Sequence, residues 1–371
     1  MIRRQTPSRR LRFAALFLFA LAATPLCAAE IAVPMKEDAW RVTAKEFRFE
    51  KYKGKDSLYI DNGVAEVADA AFENGVIEFD IAFAKDRGFS GVSFRRAGPK
   101  DYEHFYLRPH LSGEPDSSQY TPVFNGVAAW QMMFGPRYAA PIEYRFDQWM
   151  HVKIVVAGGE ADIYVDSDKP SLHVEKLLRD PQSGAIAFNS SLASARFADL
   201  RIDKNGGTTI IGESPPQAPL EKGVIMEWEI SSPFAGARLD GVDRLTAKEL
   251  NNLSWTRLAV EENGVANIAR VASISEEADT AFARLVIDSS RREIRRLRFG
   301  FSDDVRAYVN GDLVYSGADG YASRDYRFLG TVGLYDALYL PLKKGRNEVL
   351  FAVKENFGGW AIMGALDAAG E

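Results

Sequence analysis

The chain has 371 residues, more than one ordinary hydrophobic core accommodates, which favours two domains. Apolar residues make up 46% and charged residues 26%, so we expect a folded globular protein over most of the length. The formal charge of −5 argues against a nucleic acid or an anionic membrane surface as partner, because neutralising phosphates requires clustered Lys and Arg.

The first residues have the pattern of a secretory signal peptide. Five arginines between Arg3 and Arg12 precede an apolar run over 13–23, and small residues follow at 27–29. We expect cleavage after Ala29, so that the mature chain is exported to the periplasm or the extracellular space. A twin-arginine signal at Arg9-Arg10 and a lipidated Cys27 fit the neighbouring residues less well.

Removing this leader takes away five arginines and no acids, which changes the formal charge from −5 to −10. It also removes Cys27, the one cysteine of the chain, so the mature protein has no disulfide and no thiolate metal site. The apolar run of the leader is too short for a convincing membrane span, and no later stretch is long enough.

Residues 30–204 alternate between short apolar and polar runs separated by Gly, Asn, Asp or Pro. Between Val76 and Phe83, every second residue is apolar while Glu78 and Asp80 occupy the other face, which is typical of a half-buried strand. Regularly spaced strands of this kind predict an antiparallel β-sandwich or jelly roll.

Residues 205–223 contain Gly206-Gly207 and three prolines, which disfavour regular structure and indicate a linker. Residues 224–371 are again rich in predicted strands. Asn310-Gly311 lies between two alternating runs and predicts a hairpin with a two-residue primed turn. Residues 337–350 are predicted to form a strand, a tight turn and a second strand. The fold class is therefore all-β, with two antiparallel sandwich or jelly-roll domains in tandem.

The segment from Tyr102 to Gly135 concentrates planar polar and aromatic side chains. If residues 104–110 form a strand, Phe105 and Leu107 face the core and the alternate residues face outward. Planar hydrogen-bonding groups suit the hydroxyls of a sugar, and aromatic rings suit its apolar faces. Gln119 and Tyr120 lie in a predicted loop, and Gln131 lies in a predicted strand over 128–134 with its side chain toward the site. The candidate ligand-binding residues are His104, Tyr106, Arg108, His110, Gln119, Tyr120 and Gln131.

We call His104, Tyr106, Arg108 and His110 the strip. The alternative interpretation of the strip is a sheet face exposed to solvent. If the strip is catalytic, His104 or His110 would be the general base and Glu103 its orienter or acid. The two histidines would lie about 20 Å apart along a strand, too far to share a metal ion. A structural calcium held by Asp166, Asp168 or Asp203 remains open, although aspartates are also common turn residues.

The first half of the chain, residues 30–204, resembles the concanavalin A-like lectin and glucanase superfamily, specifically its laminin G-like members. The resemblance is carried by FENGVIEFDIAF, GFSGVSFRR, YLRPH, WMHVKIVVAGGEADIYVD and the closing GAIAFNSS and ARFADLRID. It implies two antiparallel sheets, one of them concave, with ligand bound in the concavity or at its rim.

The motifs of two enzymatic branches of that superfamily match this chain only in part. Laminarinases carry Glu-x-Asp-x-x-Glu, of which Glu78 and Asp80 match while Phe83 replaces the second glutamate, so retaining hydrolysis lacks its carboxylate pair. The keto-glycoside hydrolases and lyases are similar over SGVSFR and Tyr102-Glu103, but Phe105 stands where that branch usually has Gln.

The second half resembles galactose-binding-like jelly rolls, through VRAYVNGDLVYSG, YLPLKKGRNEVLFAV and ENFGGW. This resemblance implies an accessory sandwich. Three functional hypotheses follow: an exported protein that binds carbohydrate on the concave sheet of the first domain, a hydrolase or lyase acting on a modified glycoside, and a protein-interaction module. The sequence contains no Gly-x-Ser-x-Gly elbow, phosphate-binding loop or His-Glu-x-x-His motif.

Overall fold

The structure is a computed structural model that describes Met1 and residues 30–204 and 208–368. Apart from Met1, the predicted leader lies outside the described residues. The predicted all-β class is confirmed, because antiparallel strands dominate both halves. In the described part of the chain, helical structure is limited to α1 (Ala247–Leu250) and the 3-10 turns Glu37–Ala39, Pro109–Leu111, Gly236–Leu239 and Ile268–Arg270.

The first half is one continuous sheet system of thirteen strands. These are β1 (Ile31–Ala32), β2 (Trp40–Tyr52), β3 (Lys55–Val67), β4 (Gly75–Ala82), β5 (Phe89–Gly98), β6 (Asp101–Leu107), β7 (Ser118–Phe124), β8 (Val127–Ala128), β9 (Ala139–Ala140), β10 (Met150–Ala157), β11 (Glu160–Val165), β12 (Leu172–Val174) and β13 (Ala185–Asp203). Its main path runs β12-β11-β10-β4-β13-β5-β6-β7-β8.

The long strand β13 divides this system into two layers. Its pairing shifts between Ser190 and Ser194. Residues 185–191 pair with β5, whereas residues 196–203 pair with β4. We call β5–β8 the front layer, and β4 with β10–β12 the back layer. Strand β3 accompanies β13 along both parts and so joins the two layers.

The core between the layers is built from the alternating residues of these strands. On β4, Ile77, Phe79 and Ile81 are almost fully buried, as their alternation predicts. Phe188 and Phe197, from the two parts of β13, stack with ring centroids 4.3 Å apart. Each such buried aromatic ring contributes about 1.5–3 kcal/mol of transfer free energy.

Residues 208–223 contain no helix or strand and run along the edge of the back layer. The carboxylate of Asp162 on β11 accepts hydrogen bonds from the backbone N–H of Ile211 and of Gly212, at 2.7 and 3.0 Å. A Cβ on Gly212 would lie 2.4 Å from Asp162 Oδ1, so this close approach requires glycine. The segment is therefore anchored on the first half.

The second half contains two sheets. The six-stranded sheet has the order β15-β14-β17-β22-β19-β20, and the four-stranded sheet has the order β16-β23-β18-β21. The strands are β14 (Glu227–Ser231), β15 (Trp255–Ala259), β16 (Ala266–Asn267), β17 (Thr280–Ser289), β18 (Glu293–Phe301), β19 (Asp304–Val309), β20 (Asp312–Ala318), β21 (Asp336–Leu342), β22 (Gly345–Lys354) and β23 (Ala361–Leu366).

The predicted hairpin at Asn310-Gly311 is confirmed. Both residues have positive φ, 51° and 92°, and β19 pairs with β20 across the turn. The later strand-turn-strand segment is present too, but β21 belongs to the four-stranded sheet and β22 to the six-stranded one. Its turn therefore connects two sheets instead of closing a hairpin.

The apolar core continues from one half to the other. Val332 and Met363 of the second half belong to the core cluster of the first half, and Phe124 belongs to that of the second. The Asn125 side chain donates to the carbonyl of Ala269 at 2.8 Å. These contacts bring the turn at 129–133 against the loops at 329–332 and 357–359.

Candidate functional site

The residues of the predicted strip lie on and after β6, in the front layer. Phe105 is buried in the core, and His104 and Tyr106 occupy the opposite face with ring centroids 5.0 Å apart. The strand ends at Leu107, earlier than predicted, because Pro109 begins a 3-10 turn that contains His110. The ring of Phe89 contacts both Tyr106 and His110, at 5.8 and 5.5 Å.

Tyr106, Arg108 and Gln119 form one buried hydrogen-bonded network, which we call the Tyr106 network. The Tyr106 hydroxyl donates to Gln119 Oε1 at 2.7 Å, and Arg108 Nη2 donates to the Tyr106 hydroxyl at 3.0 Å and to Gln119 Oε1. Arg108 Nη1 donates to the carbonyl of Asp116 at 2.6 Å. Burial raises the pKa of Tyr106 to about 12. These three side chains are 6%, 6% and 2% exposed, so they support the surface from within instead of presenting free donors to a sugar.

Glu103 and Tyr120 lie on the core side of the front layer. The Tyr120 hydroxyl donates to Glu103 Oε2 at 2.7 Å, and the N–H of Arg179 donates to Glu103 Oε1 at 3.0 Å. Burial raises the pKa of Glu103 to about 7. The sheet separates Glu103 from His104, so the acid–base pair expected from the sequence is not formed. Tyr120 is buried as well and does not face the strip.

Tyr120 is on the opposite face from the one predicted because the local secondary structure differs from the expectation. Gln119 and Tyr120 were expected on a loop, but both lie in β7, where consecutive side chains point to opposite faces. Gln119 therefore joins Tyr106, and Tyr120 joins Glu103 in the core.

The two histidines are held as neutral imidazoles. Burial and, to a smaller extent, the Arg96 guanidinium lower the pKa of His104 to about 3. Burial lowers the pKa of His110 too, with further contributions from Arg87 and Arg108. In the part of the chain that the structure describes, neither imidazole is hydrogen-bonded to a carboxylate, which a dyad with an orienting acid would require.

Gln131 is a contact between the halves. It lies in the turn after β8, where a strand was expected, and is fully buried. Its side chain donates to the carbonyl of Leu329 at 2.8 Å, and its backbone N–H donates to the carbonyl of Gly358 at 3.1 Å. Gly330 and Gly358 have positive φ, and a Cβ on either would lie within 2.3 Å of the Gln131 side chain. A ligand on the outer surface does not reach this amide.

Aromatic rings from both halves meet above this contact. The ring of Trp130 lies 5.7 Å from that of Phe357, which lies 6.4 Å from that of Tyr321. Tyr321 is 45% exposed and Phe357 is 60% exposed. Arg87 donates to the Tyr321 hydroxyl at 3.4 Å, and its charge contributes to lowering the pKa of His110. We call Arg87, His110, Trp130, Tyr321 and Phe357 the junction surface.

The Tyr106 network supports the junction surface from below, since Gln119 Nε2 donates to the carbonyl of Trp130 at 3.0 Å. Sequence reasoning did not select Phe357 or Tyr321. The available signal was weak: Phe357 stands in the Asn-Phe-Gly-Gly run at 356–359, where glycines keep an aromatic side chain at the surface of a loop.

A carboxylate and an imidazole meet on the outer face of the back layer. Asp80 Oδ1 lies 2.8 Å from His151 Nδ1, and Lys55 bonds the other oxygen of Asp80. The hydrogen bond with Asp80 raises the pKa of His151. The side chain of His151 is 52% exposed, so its second nitrogen is available. Phe83 is buried at the position where laminarinases carry their second glutamate.

A cavity of about 450 Å³ lies in the second half, between the turn Gly236–Leu239 and the ends of β17, β19, β20 and β22. Four of its five charged groups are paired, since Lys354 lies 3.4 Å from Asp279 and Arg306 lies 2.8 Å from Asp240. The fifth, Asp304, accepts a hydrogen bond from the side-chain amide of Asn356 at 3.0 Å. Its lining includes no aromatic ring. The cavity therefore offers hydrogen bonds but no stacking surface.

Two of the three aspartates considered for calcium, Asp166 and Asp203, have other contacts. Asp166 accepts from Arg145 Nε at 2.9 Å and from the backbone N–H of His151 at 2.8 Å. Asp203 is engaged as well. Over residues 30–204 and 208–368, no group of three or more His, Cys, Asp or Glu has the arrangement of a metal site. No helix among the same residues is long and apolar enough to cross a membrane.

No family model and no curated protein matches the chain. Among solved structures, the carbohydrate-binding module CBM66 from Bacillus subtilis is similar, with 17% identity, 44% of this chain and 93% of that chain covered, and a TM-score of 0.35. A B. subtilis protein of unknown function with a galectin-like fold has 13% identity, coverages of 48% and 96%, and a TM-score of 0.36. Bacillus licheniformis β-glucanase has 10% identity, coverages of 47% and 98%, and a TM-score of 0.35. Each similarity spans less than half of this chain and assigns it no ligand.

Proposed function

We propose that the protein is exported and binds carbohydrate at the junction surface. The observation that carries this proposal is the meeting of two exposed rings of the second half, Tyr321 and Phe357, with the half-buried Trp130 of the first half. Aromatic rings bind the apolar faces of sugars, and the exposed guanidinium of Arg87 offers planar donors for hydroxyl groups. Stacking and forked hydrogen bonds thus lie side by side.

The site proposed here differs from the concave sheet that the sequence favoured. The Tyr106 network is already hydrogen-bonded internally, and a ligand would have to replace those bonds without a net gain. The exposed rings have no such partners to lose. The strip therefore positions Trp130, and the rings contact the sugar.

Binding without chemistry is the better-supported activity of this surface. General acid–base catalysis needs two titratable groups within hydrogen-bond reach of the reacting atoms. Glu103 and His104 lie on opposite sides of the front layer. The junction surface supplies aromatic rings and the guanidinium of Arg87, which suit recognition.

A second candidate function is hydrolysis or elimination of a modified glycoside on the outer face of the back layer. The contact between Asp80 and His151 favours it, because a carboxylate there orients a half-exposed imidazole. Turnover of a glycoside by the wild type that is lost in His151→Gln, with Phe357→Ala still active, would establish this activity.

The proposal is tested with a glycan array on mature protein, residues 30–371, with and without Phe357→Ala. The control is Tyr339→Ala, which removes another exposed ring, 70% exposed, from the four-stranded sheet. We expect Phe357→Ala to weaken binding about 5- to 10-fold, since one stacked ring contributes about 1–1.5 kcal/mol. Tyr339→Ala should bind like the wild type. Binding that both variants retain in full would contradict the assignment, and an array without any bound glycan would favour the protein-interaction hypothesis.

A further inference from the structure

Three carboxylates are buried directly behind the rings that the second half contributes to the junction surface. Asp303, Asp319 and Glu355 are 4%, 0% and 4% exposed. Carboxylates are rarely buried this completely without a cation beside each of them. Their hydrogen bonds connect them to the backbone segments that carry Phe357 and Tyr321.

Two of these carboxylates fix the segment that carries Phe357. Asp303 Oδ2 accepts from the backbone N–H of Asn356 at 2.5 Å and of Phe357 at 2.7 Å. Glu355 Oε1 accepts from the backbone N–H of Gly359 at 3.1 Å. The segment 356–359 is thus attached at both ends to carboxylate oxygens.

The loop that carries Tyr321 depends on the same cluster. The backbone N–H of Asp319 donates to the carbonyl of Asp303 at 2.5 Å. The Asp319 carboxylate is bonded to Arg324, while its shielded Oδ2 atom has no hydrogen-bond partner among the described residues. Both exposed rings are therefore supported by backbone segments that converge on Asp303.

The charges around Glu355 are unbalanced. Asp303 faces Glu355, and Asp303 is itself faced by Asp304 and Asp319. The cations nearby are directed elsewhere: Arg324 bonds Asp319 and Asp336, and Lys354 pairs with Asp279. The remaining groups that contact the Glu355 carboxyl are the hydroxyl of Ser302 and the N–H of Gly359, which are neutral.

This arrangement favours the neutral form of Glu355. Burial and the neighbouring Asp303 raise the pKa of Glu355 to about 8, and burial raises the pKa of Asp303 and of Asp319. An ionised Glu355 would place a second negative charge beside Asp303 without a compensating cation.

We propose that protonation of Glu355 controls the junction surface. The neutral carboxyl keeps segment 356–359, which carries Phe357, attached in its closed position. Ionisation of Glu355 beside Asp303 releases that segment into a more mobile state. The inference rests on the proposed function for its biological meaning, because the segment carries one of the stacking rings. Its physical basis is independent of any ligand.

The sign of the effect follows from proton linkage. The closed segment holds Glu355 with a pKa of about 8, whereas the released segment exposes it to water with an ordinary pKa of 4.5. The closed state therefore binds more protons between these two values, and its stability falls as the pH rises from 4.5 to about 8. Above that range no further change is expected. The release equilibrium increases by no more than about tenfold per pH unit.

Hydrogen exchange of the backbone amides of residues 356–361 tests this inference on the mature protein. Exchange is compared between the wild type and Glu355→Gln at each pH from about 6 to 9, so that the intrinsic pH dependence of exchange cancels. Glutamine keeps the shape of the neutral carboxyl and cannot ionise. We expect the wild-type to variant exchange ratio to rise with pH until about 8 and then to level off. A ratio that stays constant over the range would overturn the inference.

Two further variants keep the test decisive. Glu103→Gln is the matched control, because Glu103 is another buried glutamate with a raised pKa but lies in the front layer. It should leave exchange of 356–361 unchanged. If Glu355→Gln does not fold, Asp303→Asn replaces it: removing the facing charge should move the transition to lower pH, and an unmoved transition would overturn the inference.

The failure of the switch and the failure of glycan binding give different results. A constant exchange ratio together with loss of glycan binding in Phe357→Ala refutes the switch alone. A pH-dependent ratio with no glycan bound by the wild type refutes the proposed function alone.

Discussion

Two buried polar networks support the junction surface, and they differ in how their charges are matched. The Tyr106 network combines the guanidinium of Arg108 with a phenol and an amide, so donors and acceptors are satisfied within it. The carboxylates of Asp303 and Glu355 rely on backbone N–H donors and face each other. A matched network gives a rigid support, whereas an unmatched one makes its segment sensitive to pH.

The largest expected effect comes from breaking the matched network. Arg108→Ala removes the guanidinium donor from the buried Tyr106 hydroxyl, one of the two donors from Gln119 Oε1, and the donor from the half-buried carbonyl of Asp116. We expect the free energy of unfolding to fall by about 3 kcal/mol, since hydrogen bonds to a buried charged group contribute about 1.5–3 kcal/mol. Urea unfolding measures this change.

The control for that measurement is Arg327→Ala, which removes an exposed guanidinium paired with Asp325 at 2.9 Å. An exposed pair contributes about 0–1 kcal/mol. If the two variants lose the same stability, the Tyr106 network is not the support described here.

A smaller effect is expected where the halves touch. Gly358 has φ of 109°, and a Cβ there would lie 2.3 Å from Gln131 Oε1. Gly358→Ala should cost about 2–3 kcal/mol, from backbone strain of about 1–2 kcal/mol and from displacement of the Gln131 side chain. The control is Gly345→Ala, because Gly345 has φ of 93° and a Cβ there would meet nothing within 4 Å. Thermal unfolding of the two variants measures the two losses of stability. Equal losses would mean that the contact with Gln131 adds nothing.

The smallest expected effect, counted per pH unit, is the pH dependence of the unfolding free energy that Glu355 causes. This dependence distinguishes the carboxylates of Asp303 and Glu355 from the Tyr106 network. The pKa of Glu355 is raised from 4.5 to about 8 in the folded protein, so its ionisation makes the stability of the wild type fall as pH rises through this window. The difference in unfolding free energy between Glu355→Gln and the wild type should grow by no more than about 1.4 kcal/mol per pH unit.

Tyr106→Phe serves as the comparison in the same unfolding series. It removes one hydroxyl of the matched network and should shift stability by a similar amount at every pH below about 9, because burial raises the pKa of Tyr106 to about 12. If the stability difference between Tyr106→Phe and the wild type changes with pH below about 9, the Tyr106 network also contributes to the pH dependence, which would contradict the assignment to Glu355.

Several features followed from local pattern alone. The alternation in β4 and β6 identified the buried residues Phe79 and Phe105, because a strand turns consecutive side chains to opposite faces. Asn310-Gly311 specified its turn through the two positive φ angles that these residues tolerate.

Other features depended on how long a strand runs. The extent of β7 was not apparent from the sequence, because Gly113, Pro115 and Ser117 before it indicated a loop. Once residues 118–124 pair with β6, strand parity sends Tyr120 to the core and Gln119 to the strip. The same reasoning failed at residues 129–133, where a turn interrupts the predicted strand.

The sequence by itself determined the all-β class, the alternation of faces within single strands and the planar residues that gather around β6. Only the tertiary structure decided which of those residues remain reachable. Gln131 and Gly358 are 227 positions apart and Arg87 and Tyr321 are 234 positions apart, yet each pair meets in space. Local periodicity sets the direction of a side chain, but its exposure depends on which distant segment packs over it.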